Sequence, residues 1–315
     1  MDKLDIIGDI HGHADALEAL LAALGYSKDG DGVYSHDERR ALFLGDYIDR
    51  GPDQRRTLEI VRSMSKRGRA IALMGNHEFN AICYAARING GFIRAHNPKN
   101  REQHAAFLRE FPEGAADYCD AIDWFRSLPV RFETEGVAAV HACWCARSLR
   151  AIEPLLTEDG RLRPAAYDAY ADTCGAQYAA IERILKGPEI ALPDGLDYRD
   201  KDGHFRRAAR IRWWTDNDAP ARRRLEFGGA RLGDDQLAMI DRMECREPFP
   251  MPAKPVFFGH YWMQGAPAPL AEKIACLDYS VAKGGRLAAY RWNGEARLNA
   301  RNFVSVEAGP SAARK

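Results

Sequence analysis

Three short segments near the start of the chain each place metal-binding side chains directly after a glycine. They read GDIHG at 8–12, GDYIDRGP at 45–52 and GNHE at 75–78. Two further histidines follow apolar runs later in the chain, His141 in GVAAVHA and His260 in VFFGH. Glycine lets the backbone turn sharply at points where side chains must converge. The five segments therefore predict one shared site rather than five unrelated turns.

The candidate ligands carry oxygen and nitrogen donors but no thiolate. They are two aspartates, one asparagine and three histidines: Asp9, His11, Asp46, Asn76, His141 and His260. His77 is left over from this set. Such ligands suit Mn²⁺, Fe or Zn²⁺ better than copper or a structural zinc. The expected chemistry is that of a catalytic metal centre.

The elements that must position these ligands alternate along the first 78 residues. Predicted strands at 4–9, 40–49 and 69–78 each end in one of the segments, and predicted helices at 13–24 and 53–68 lie between them. This alternation predicts parallel strands in an α/β sheet. The carboxyl ends of parallel strands meet at one edge, which is the usual place for a site in such folds.

The rest of the chain predicts a second sheet and two insertions. A hairpin is expected at 131–143, and KPVFFGH, KIACLDYS, GGRLAAYRW and EARLNA predict a second, more antiparallel sheet near the C-terminus. Residues 81–128 and 147–208 read as largely helical and polar insertions. We expect a single domain over 1–308 and a disordered tail at 309–315.

Composition argues against several functional classes. Lys plus Arg equals Asp plus Glu, 45 each, so no global basic field predicts nucleic-acid binding. No apolar run approaches the ~20 residues needed to span a bilayer, so no membrane partner is expected. Seven cysteines, an odd and scattered set, suit reduced thiols and a cytoplasmic location.

The ordered set GDIHG, GDYIDRG and GNHE, followed by HA and GH, resembles the calcineurin-like metallophosphoesterases. It is closest to the phosphoprotein phosphatase branch and its bacterial relatives, which include symmetrical dinucleoside tetraphosphate hydrolases. The resemblance is close over 4–80 and looser over 130–145 and 255–292, and it leaves the insertions unexplained. With the strand pattern, it predicts a four-layer α-β-β-α sandwich of two mixed sheets, with helical insertions near the active site.

The resemblance implies two divalent transition-metal ions. Asp9 and His11 would bind the first ion and Asp46 would bridge both, because two close dications repel unless an anion lies between them. The coordination of the second ion would be completed by three residues: Asn76, His141 and His260. A bridging water would lose a proton and attack phosphorus. Mn²⁺ is the expected metal, with Fe or Zn²⁺ as alternatives.

The resemblance also implies roles for residues beside the ligands. His77 would protonate the leaving-group oxygen, Asp49 would orient His77, and Arg50 would hold the phosphate oxygens. The stretch IRWWTDNDAPARRR at 211–224 resembles more weakly the family segment before a second phosphate-contacting arginine. That similarity makes Arg222 or Arg223 a candidate for this arginine. The stretch DYSVAKGGRLAAY at 278–290 resembles the family strand after the last histidine ligand, which makes Asp278 a candidate for supporting a ligand.

Some residues depart from the family pattern or are expected to lie outside the site. The chain reads HACWC after His141, where family phosphatases usually have two glycines, so Ala142 and Cys143 narrow that space. The aromatic side chains of Tyr261 and Trp262 would either line the mouth of the site or pack. The remaining histidines are expected to start a helix (His13) or to lie at the surface: His36, His96, His104 and His204.

The sequence therefore predicts an enzyme that hydrolyses phosphoester or phosphoanhydride bonds. Its substrate would be a phosphorylated small molecule, a nucleotide or a phosphoprotein. A phosphomonoester phosphatase and a dinucleoside polyphosphate hydrolase are the two enzymatic alternatives. A metal-binding scaffold without turnover is the third, but it would be marked by loss of His77, Asp49 or a ligand, and all are retained.

Overall fold

A computed structural model describes residues 3–199, 203, 205–245 and 247–308. The expected tail at 309–315, part of the second insertion and His204 lie outside these residues. In chain order the strands are β1 Lys3–Ile7, β2 Ser27–Lys28, β3 Tyr34–Ser35, β4 Arg39–Phe43, β5 Ala70–Ala72, β6 Arg87–Ile88, β7 Gly91–Phe92, β8 Arg131–Glu133, β9 Ala138–Val140, β10 Glu189–Ala191, β11 Tyr198–Arg199, β12 Phe205–Arg206, β13 Ala208–Ile211, β14 Leu225–Glu226, β15 Val256–Phe258, β16 Ile274–Cys276, β17 Asp278–Tyr279, β18 Arg286–Trp292 and β19 Phe303–Glu307.

The helices lie mainly between the strands of the N-terminal half and in the two insertions. They are α1 Ala14–Ala23, α2 Gln54–Lys66, α3 Asn76–Ala85, α4 Pro98–Gln103, α5 Ala105–Glu110, α6 Ala116–Arg126, α7 Ala146–Ile152, α8 Pro164–Ala171, α9 Ala176–Lys186, α10 Ala221–Arg224 and α11 Asp234–Asp241. Short 3₁₀ turns occur at Glu153–Leu155, Val281–Lys283 and Ala300–Asn302. Across the described residues, no helix is long and apolar enough to cross a membrane.

The larger sheet confirms the parallel arrangement expected for the first three strands. Its order is β17-β18-β1-β4-β5, with β19 paired to β18. Strands β1, β4 and β5 are parallel, with Ile7 beside Phe43 and Phe43 beside Ala72. Their carboxyl ends therefore lie at one edge. The third strand is shorter than predicted, because Asn76 begins α3 instead of continuing the strand.

The smaller sheet has the order β16-β15-β9-β8. The expected hairpin is present as the antiparallel pair β8-β9, but β15 is parallel to both β9 and β16. The predicted C-terminal strands therefore do not form one more antiparallel sheet: β15 and β16 join the smaller sheet in parallel, whereas β17 and β18 pair antiparallel in the larger one. The continuous apolar run Val256–Phe258 is buried on both faces, which is typical of a parallel strand. Strand β18 instead pairs antiparallel with β1, and β19 at Phe303–Glu307 replaces the strand expected at 295–300.

The two sheets face each other across one apolar layer. Alternate residues of β1 and β4 point into it with residues of β9, β15 and β16: Leu4, Ile6, Leu42, Ala139, Phe257 and Ala275. The intervening residues, such as Ile7 and Phe43, join a larger cluster that includes the helix residues Leu17 and Val61. This alternation follows from the period of two along a strand. The fold is a mixed α/β arrangement of sheets and helices.

Both expected insertions contain helices beside this core. The first, 81–128, holds the end of α3, the hairpin β6-β7 and helices α4 to α6, and the second begins with helices α7 to α9. Helix α6 packs against α3, and α7 packs against α9. The division into one domain with these boundaries stays a prediction.

Candidate active site

The predicted ligands follow the carboxyl ends of strands from both sheets. Asp9 and His11 follow β1, Asp46 follows β4, and Asn76 begins α3 after β5. The other two ligands, His141 after β9 and His260 after β15, come from the smaller sheet. Because β9 and β15 are parallel neighbours, their ends lie together, and the backbone N–H of Gly259 donates to the carbonyl oxygen of His141 at 2.7 Å.

The site loops have an unusual backbone. Among the described residues, eight non-glycine residues have a positive φ, and six of them lie in these loops: His11, Asp46, Asp49, Arg50, His260 and Trp262. A positive φ costs a non-glycine residue about 1–2 kcal/mol. Backbone strain of this kind clusters at functional sites, where the surrounding structure holds it in place.

Two glycines are needed here because other groups approach their backbone closely. A Cβ atom at Gly259 would overlap Oδ1 of Asp9, and one at Gly75 would overlap the backbone nitrogen and Oδ1 of Asp46. Neither position has a positive φ, so close approach, not conformational freedom, explains these glycines. Gly259 and Gly75 therefore make room for the carboxylates of Asp9 and Asp46.

Asp46 lies at the centre of the predicted ligands. Its Oδ2 is 3.6 Å from Nε2 of His11 and 4.0 Å from Nε2 of His77, and its Oδ1 is 3.4 Å from Nε2 of His141. Two buried clusters share Asp46: one with His11 and His77, the other with His141 and His260, and ligand atoms within each lie within 4.8 Å of one another. One carboxylate thus faces two groups of possible metal ligands.

The orientation of Asn76 fits a cation in the second cluster. Its Oδ1 lies 3.0 Å from Nε2 of His141, 2.6 Å from Nδ1 of His260 and 3.3 Å from Oδ2 of Asp46. With the amide turned over, its NH₂ group would donate to all three of these atoms. A cation bound among them would instead be coordinated by the amide oxygen. The donor types are those that divalent transition metals prefer.

Two further predicted ligands have buried polar atoms without hydrogen bonds. Oδ1 of Asp9 and Nε2 of His260 have no hydrogen-bond partner in the described part of the chain. The other oxygen of Asp9 accepts from the backbone N–H of His260 at 3.0 Å. Asp9 belongs to neither of the two clusters around Asp46. Buried polar atoms are normally paired, so these atoms also fit a bound cation.

The electrostatics favour the metal-binding protonation state at three of the predicted ligands, His11, His260 and Asp46. Burial, Arg50 and His77 lower the pKa of His11, and burial, Arg210 and His141 lower the pKa of His260. Metals bind the neutral imidazole, so this shift favours binding. Burial would raise the pKa of Asp46, but the charges of His141 and His77 outweigh it and keep the pKa well below its usual range.

The pKa of His141 shifts upwards, in the opposite direction, because of the negative charge of Asp46. Burial would lower the pKa of its imidazole, but Asp46, followed by Asp9, outweighs burial and raises the pKa to about 10. Burial and the charge of Asp278 raise the pKa of Asp9. The carboxylates therefore attract positive charge to the position at which a metal would bind.

His77 is held by Asp49, and Asp49 is held in turn by a histidine that we expected at the surface. Oδ2 of Asp49 lies 2.6 Å from Nδ1 of His77, and its Oδ1 lies 3.0 Å from Nδ1 of His104. His104 is buried, so the expectation of a surface position is wrong. An ionised carboxylate only accepts, so both imidazoles donate from Nδ1.

Glu78, the last residue of GNHE, ties two site loops together. Its carboxylate accepts from the backbone N–H groups of Gly75, Asp46 and Tyr47 at 2.8–2.9 Å. Burial and the charge of Asp46 raise its pKa to about 8. Glu78 could have been identified from the sequence because it ends the segment GNHE, whereas no local sequence pattern distinguishes His104.

Arg50 and Trp262 form one wall of the site. The guanidinium carbon of Arg50 lies 4.4 Å from the centre of the Trp262 ring. Asp278 supports this wall instead of a ligand side chain, because its Oδ2 accepts from the backbone N–H of Trp262 at 2.9 Å. Tyr261 is buried and its hydroxyl donates to the carbonyl oxygen of Ile211, so it packs while Trp262 lines the cavity.

The arginine run does not reach the site, which corrects the nomination of Arg222 and Arg223. Arg222 pairs with Asp241 through Nη2 and Oδ2 at 2.5 Å, and both arginines are exposed. Arg224 is buried and donates to the carbonyl oxygen of Glu247 at 2.7 Å, which turns its neighbours outward. Within the described residues, the cavity is lined by Arg210 instead.

A cavity of about 1080 Å³ extends from the metal-ligand cluster towards the insertions. Among its lining residues, cationic side chains outnumber acidic ones by nine to five: Arg50, Arg94, Lys99, Arg109, Arg183, Lys186, Arg206, Arg210 and Lys283 against Asp46, Asp49, Glu102, Glu182 and Glu189. A second cavity of about 350 Å³ adjoins it, and Arg206, Arg210 and Trp262 line both. A positive cavity of this size suits a ligand with several negative charges.

Comparison with known proteins identifies the family. The model of the calcineurin-like phosphoesterase family matches residues 3–220, and the chain belongs to this family. Members use divalent metal ions, and the two clusters around Asp46 are candidate sites for them. The mixed α/β fold and the family agree with the resemblance seen in the sequence.

Two bacterial relatives carry related names. The asymmetrical bis(5'-nucleosyl)-tetraphosphatase of Oceanobacillus iheyensis is 43% identical over 76 residues, which are 24% of this chain and 30% of that protein. This match spans less than a third of the relative. The symmetrical bis(5'-nucleosyl)-tetraphosphatase of Pectobacterium carotovorum is 25% identical over 309 residues, 91% of each chain. The family and these relatives indicate a hydrolase of the phosphatase type.

A solved structure shares the fold at low sequence identity. A protein serine/threonine phosphatase from Saccharomyces cerevisiae is 14% identical, with a TM-score of 0.50 over 97% of this chain and 79% of that one. At this identity, the likeness concerns the fold alone.

Proposed function

We propose that this protein hydrolyses phosphoanhydride or phosphoester bonds with two divalent metal ions that share Asp46. The observation that carries the proposal is the position of the Asp46 carboxylate between imidazoles from both sheets. Asp9 and His11 would hold one ion, and three residues the other: Asn76, His141 and His260. When bound, the ions would lower the pKa of a coordinated water and neutralise phosphate charge.

The remaining residues of the site would position the substrate and move a proton. His77 donates from Nδ1 to Asp49, which leaves Nε2 to donate to the leaving-group oxygen. Asp49 accepts this hydrogen bond and so fixes the orientation of the imidazole. Arg50, packed on Trp262, would hold non-bridging phosphate oxygens through its planar guanidinium.

Mn²⁺ is the proposed metal, with Fe or Zn²⁺ as alternatives, because the ligands are carboxylate, amide and imidazole groups. The proposal includes the four-layer α-β-β-α arrangement of the single domain, with both insertions beside the site. The apolar layer shared by the two sheets supports this architecture.

A dinucleoside polyphosphate is the proposed substrate class. The relative that matches over 91% of the chain is named for such a substrate. The two adjoining cavities share Arg206 and Arg210, cations that could bind further phosphates of such a substrate. A phosphomonoester or phosphoprotein substrate is the second candidate, supported by the exposed side of the larger cavity.

The experiment is a side-by-side assay of metal-stripped protein with Mn²⁺, Zn²⁺, Mg²⁺ or no metal added back. Diadenosine tetraphosphate, p-nitrophenyl phosphate and a phosphopeptide serve as substrates. We expect Mn²⁺ to restore hydrolysis, with the highest kcat/KM for diadenosine tetraphosphate. Equal or higher kcat/KM for the phosphopeptide would overturn the substrate class, and no hydrolysis of any substrate with metal bound would overturn the activity.

A further inference from the structure

We infer that His104, supplied by the first insertion, is a positioning residue for the proton transfer by His77. It fixes the carboxylate of Asp49 so that one oxygen stays directed at Nδ1 of His77. This inference rests on the proposed role of His77 as the general acid.

Both histidines contact the Asp49 carboxylate through Nδ1. Oδ2 lies 2.6 Å from Nδ1 of His77, while Nδ1 of His104 lies 3.0 Å from Oδ1 and 3.3 Å from Oδ2. The exposed fractions are small, 2% for Asp49, 5% for His104 and 7% for His77, and the three residues lie at the wall of the larger cavity. The backbone N–H of Asp49 donates to Oε1 of Gln54 at 2.6 Å, which fixes the main chain as well.

The insertion holds the imidazole of His104 rigidly. The ring stacks on Phe107 at 4.9 Å between centroids, and Phe107 stacks in turn on Phe111 at 4.8 Å. Its backbone N–H donates at 3.2 Å to carbonyl oxygens of α4. A donor on a fixed ring orients an acceptor better than a mobile side chain or a water molecule does.

A second contact joins the same insertion to the chain that follows Asp49. The two oxygens of Glu110 accept from the backbone N–H groups of Gln54 and Arg55 at 2.8 and 2.9 Å, at the first turn of α2. The insertion therefore contacts the Asp49 loop at two points, His104 and Glu110. This arrangement gives the first insertion a role in the chemistry that the sequence did not indicate.

Removal of the His104 donor would leave one buried oxygen of Asp49 without a partner. The carboxylate could then rotate and share its charge differently with His77. Leaving groups that need protonation would be affected most, because a good leaving group departs without it. A purely structural role for His104 would instead lower all rates together.

The kinetic test uses metal-loaded protein with p-nitrophenyl phosphate and phenyl phosphate, which differ in leaving-group pKa. The variants are His104→Leu, His104→Asn, which keeps a donor near the Nδ1 position, and His104→Gln, which displaces it. His96→Leu is the matched control, since His96 lies in the same insertion and bonds to the carbonyl oxygen of Tyr84. His77→Asn tests the role on which the inference rests.

We expect His104→Leu to lower kcat for phenyl phosphate roughly 10-fold with KM unchanged, a fraction of the 10²–10⁴ typical of general acid catalysis. The p-nitrophenyl phosphate rate should change less than about threefold, and Asn should restore more activity than Gln. Equal losses on both substrates, while His77→Asn selectively slows phenyl phosphate, would overturn the role of His104 alone. If His77→Asn shows no selectivity, the proposed general acid is wrong.

A spectroscopic measurement tests the inference without turnover. In Mg²⁺-loaded protein, the short Asp49–His77 hydrogen bond should give a low-field proton resonance, assigned by its loss in His77→Asn. The resonance should shift in His104→Leu and His104→Gln and stay in place in His104→Asn and His96→Leu. An unchanged resonance in folded His104→Leu or His104→Gln would overturn the inference.

Discussion

The Asp46 carboxylate lies 3.4 Å from Nε2 of His141, although the two residues follow strands of different sheets. Asp46 follows β4 of the larger sheet and His141 follows β9 of the smaller one. The site therefore forms where the carboxyl ends of two facing sheets meet, and its assembly depends on the packing between them.

Replacement of Asp46 should affect metal binding more than replacement of His77. In Asp46→Asn, loss of the shared negative charge should weaken binding of both ions by roughly 10- to 100-fold or more, since even indirect ligand contacts have effects of this size. In His77→Asn, metal content should stay near that of the unsubstituted protein. Elemental analysis after dialysis against limiting metal measures both.

Asp53→Asn is the matched control for Asp46→Asn. Asp53 lies at the start of α2, where its Oδ1 accepts from the backbone N–H of Arg56, and asparagine caps a helix equally well. Full metal content in Asp46→Asn would contradict the shared-ligand role.

Alanine at Gly259 should disturb the site although the change adds only one methyl group. The new Cβ would overlap Oδ1 of Asp9 in a closely packed region, and such overpacking costs about 1–3 kcal/mol. We expect a lower Tm and weaker metal binding, measured by thermal unfolding with and without Mn²⁺. Gly30→Ala is the control, since a Cβ atom there would meet no other group within 4 Å. Equal Tm values for the two variants would show that the loop adjusts freely.

Arg210 should contribute to substrate binding, and Arg222 should not. Arg210 lines the cavity and its charge lowers the pKa of His260, whereas Arg222 pairs with Asp241 at the surface. Loss of a charged hydrogen bond to phosphate costs about 1.5–3 kcal/mol. Arg210→Ala should therefore lower kcat/KM for diadenosine tetraphosphate roughly 10- to 100-fold. A larger loss in Arg222→Ala would instead support the nomination made from the sequence.

Above its pKa of about 8, the Glu78 side chain is a carboxylate that accepts from three buried backbone N–H groups, and Glu78→Gln should then destabilise the protein by about 1–3 kcal/mol. A glutamine directs an amide NH₂ at one side of this arrangement, where donors already lie. Denaturant unfolding measures the change. Glu38→Gln removes an exposed ion pair with Lys3 and should cost less than about 1 kcal/mol. Equal effects would mean that the Glu78 contacts contribute little.

The sequence predicted the parts of the site that depend on local pattern. A glycine and a ligand after each of three alternating strands was enough to place Asp9, Asp46 and Asn76 at one edge, because strand order and direction follow from the alternation. The sequence could not show which sheet the C-terminal strands join. That choice depends on pairing between β18 and β1, which are separated by most of the chain.

The same limit explains the errors at individual residues. His104 is polar and lies in a polar insertion, so only the packing of that insertion on the Asp49 loop reveals its burial. The arginines at 222 and 223 match a family segment, but both are exposed, and Arg222 makes an ion pair with Asp241, which is a tertiary contact. Contacts between distant segments decided both cases.

The most direct test of the central claim is anomalous diffraction from crystals of the protein grown with Mn²⁺. The account predicts two anomalous peaks, both within coordination distance of Asp46, one beside His11 and the other beside Asn76 and His141. A single peak, or peaks that do not contact Asp46, would contradict a pair of metal ions that share this carboxylate.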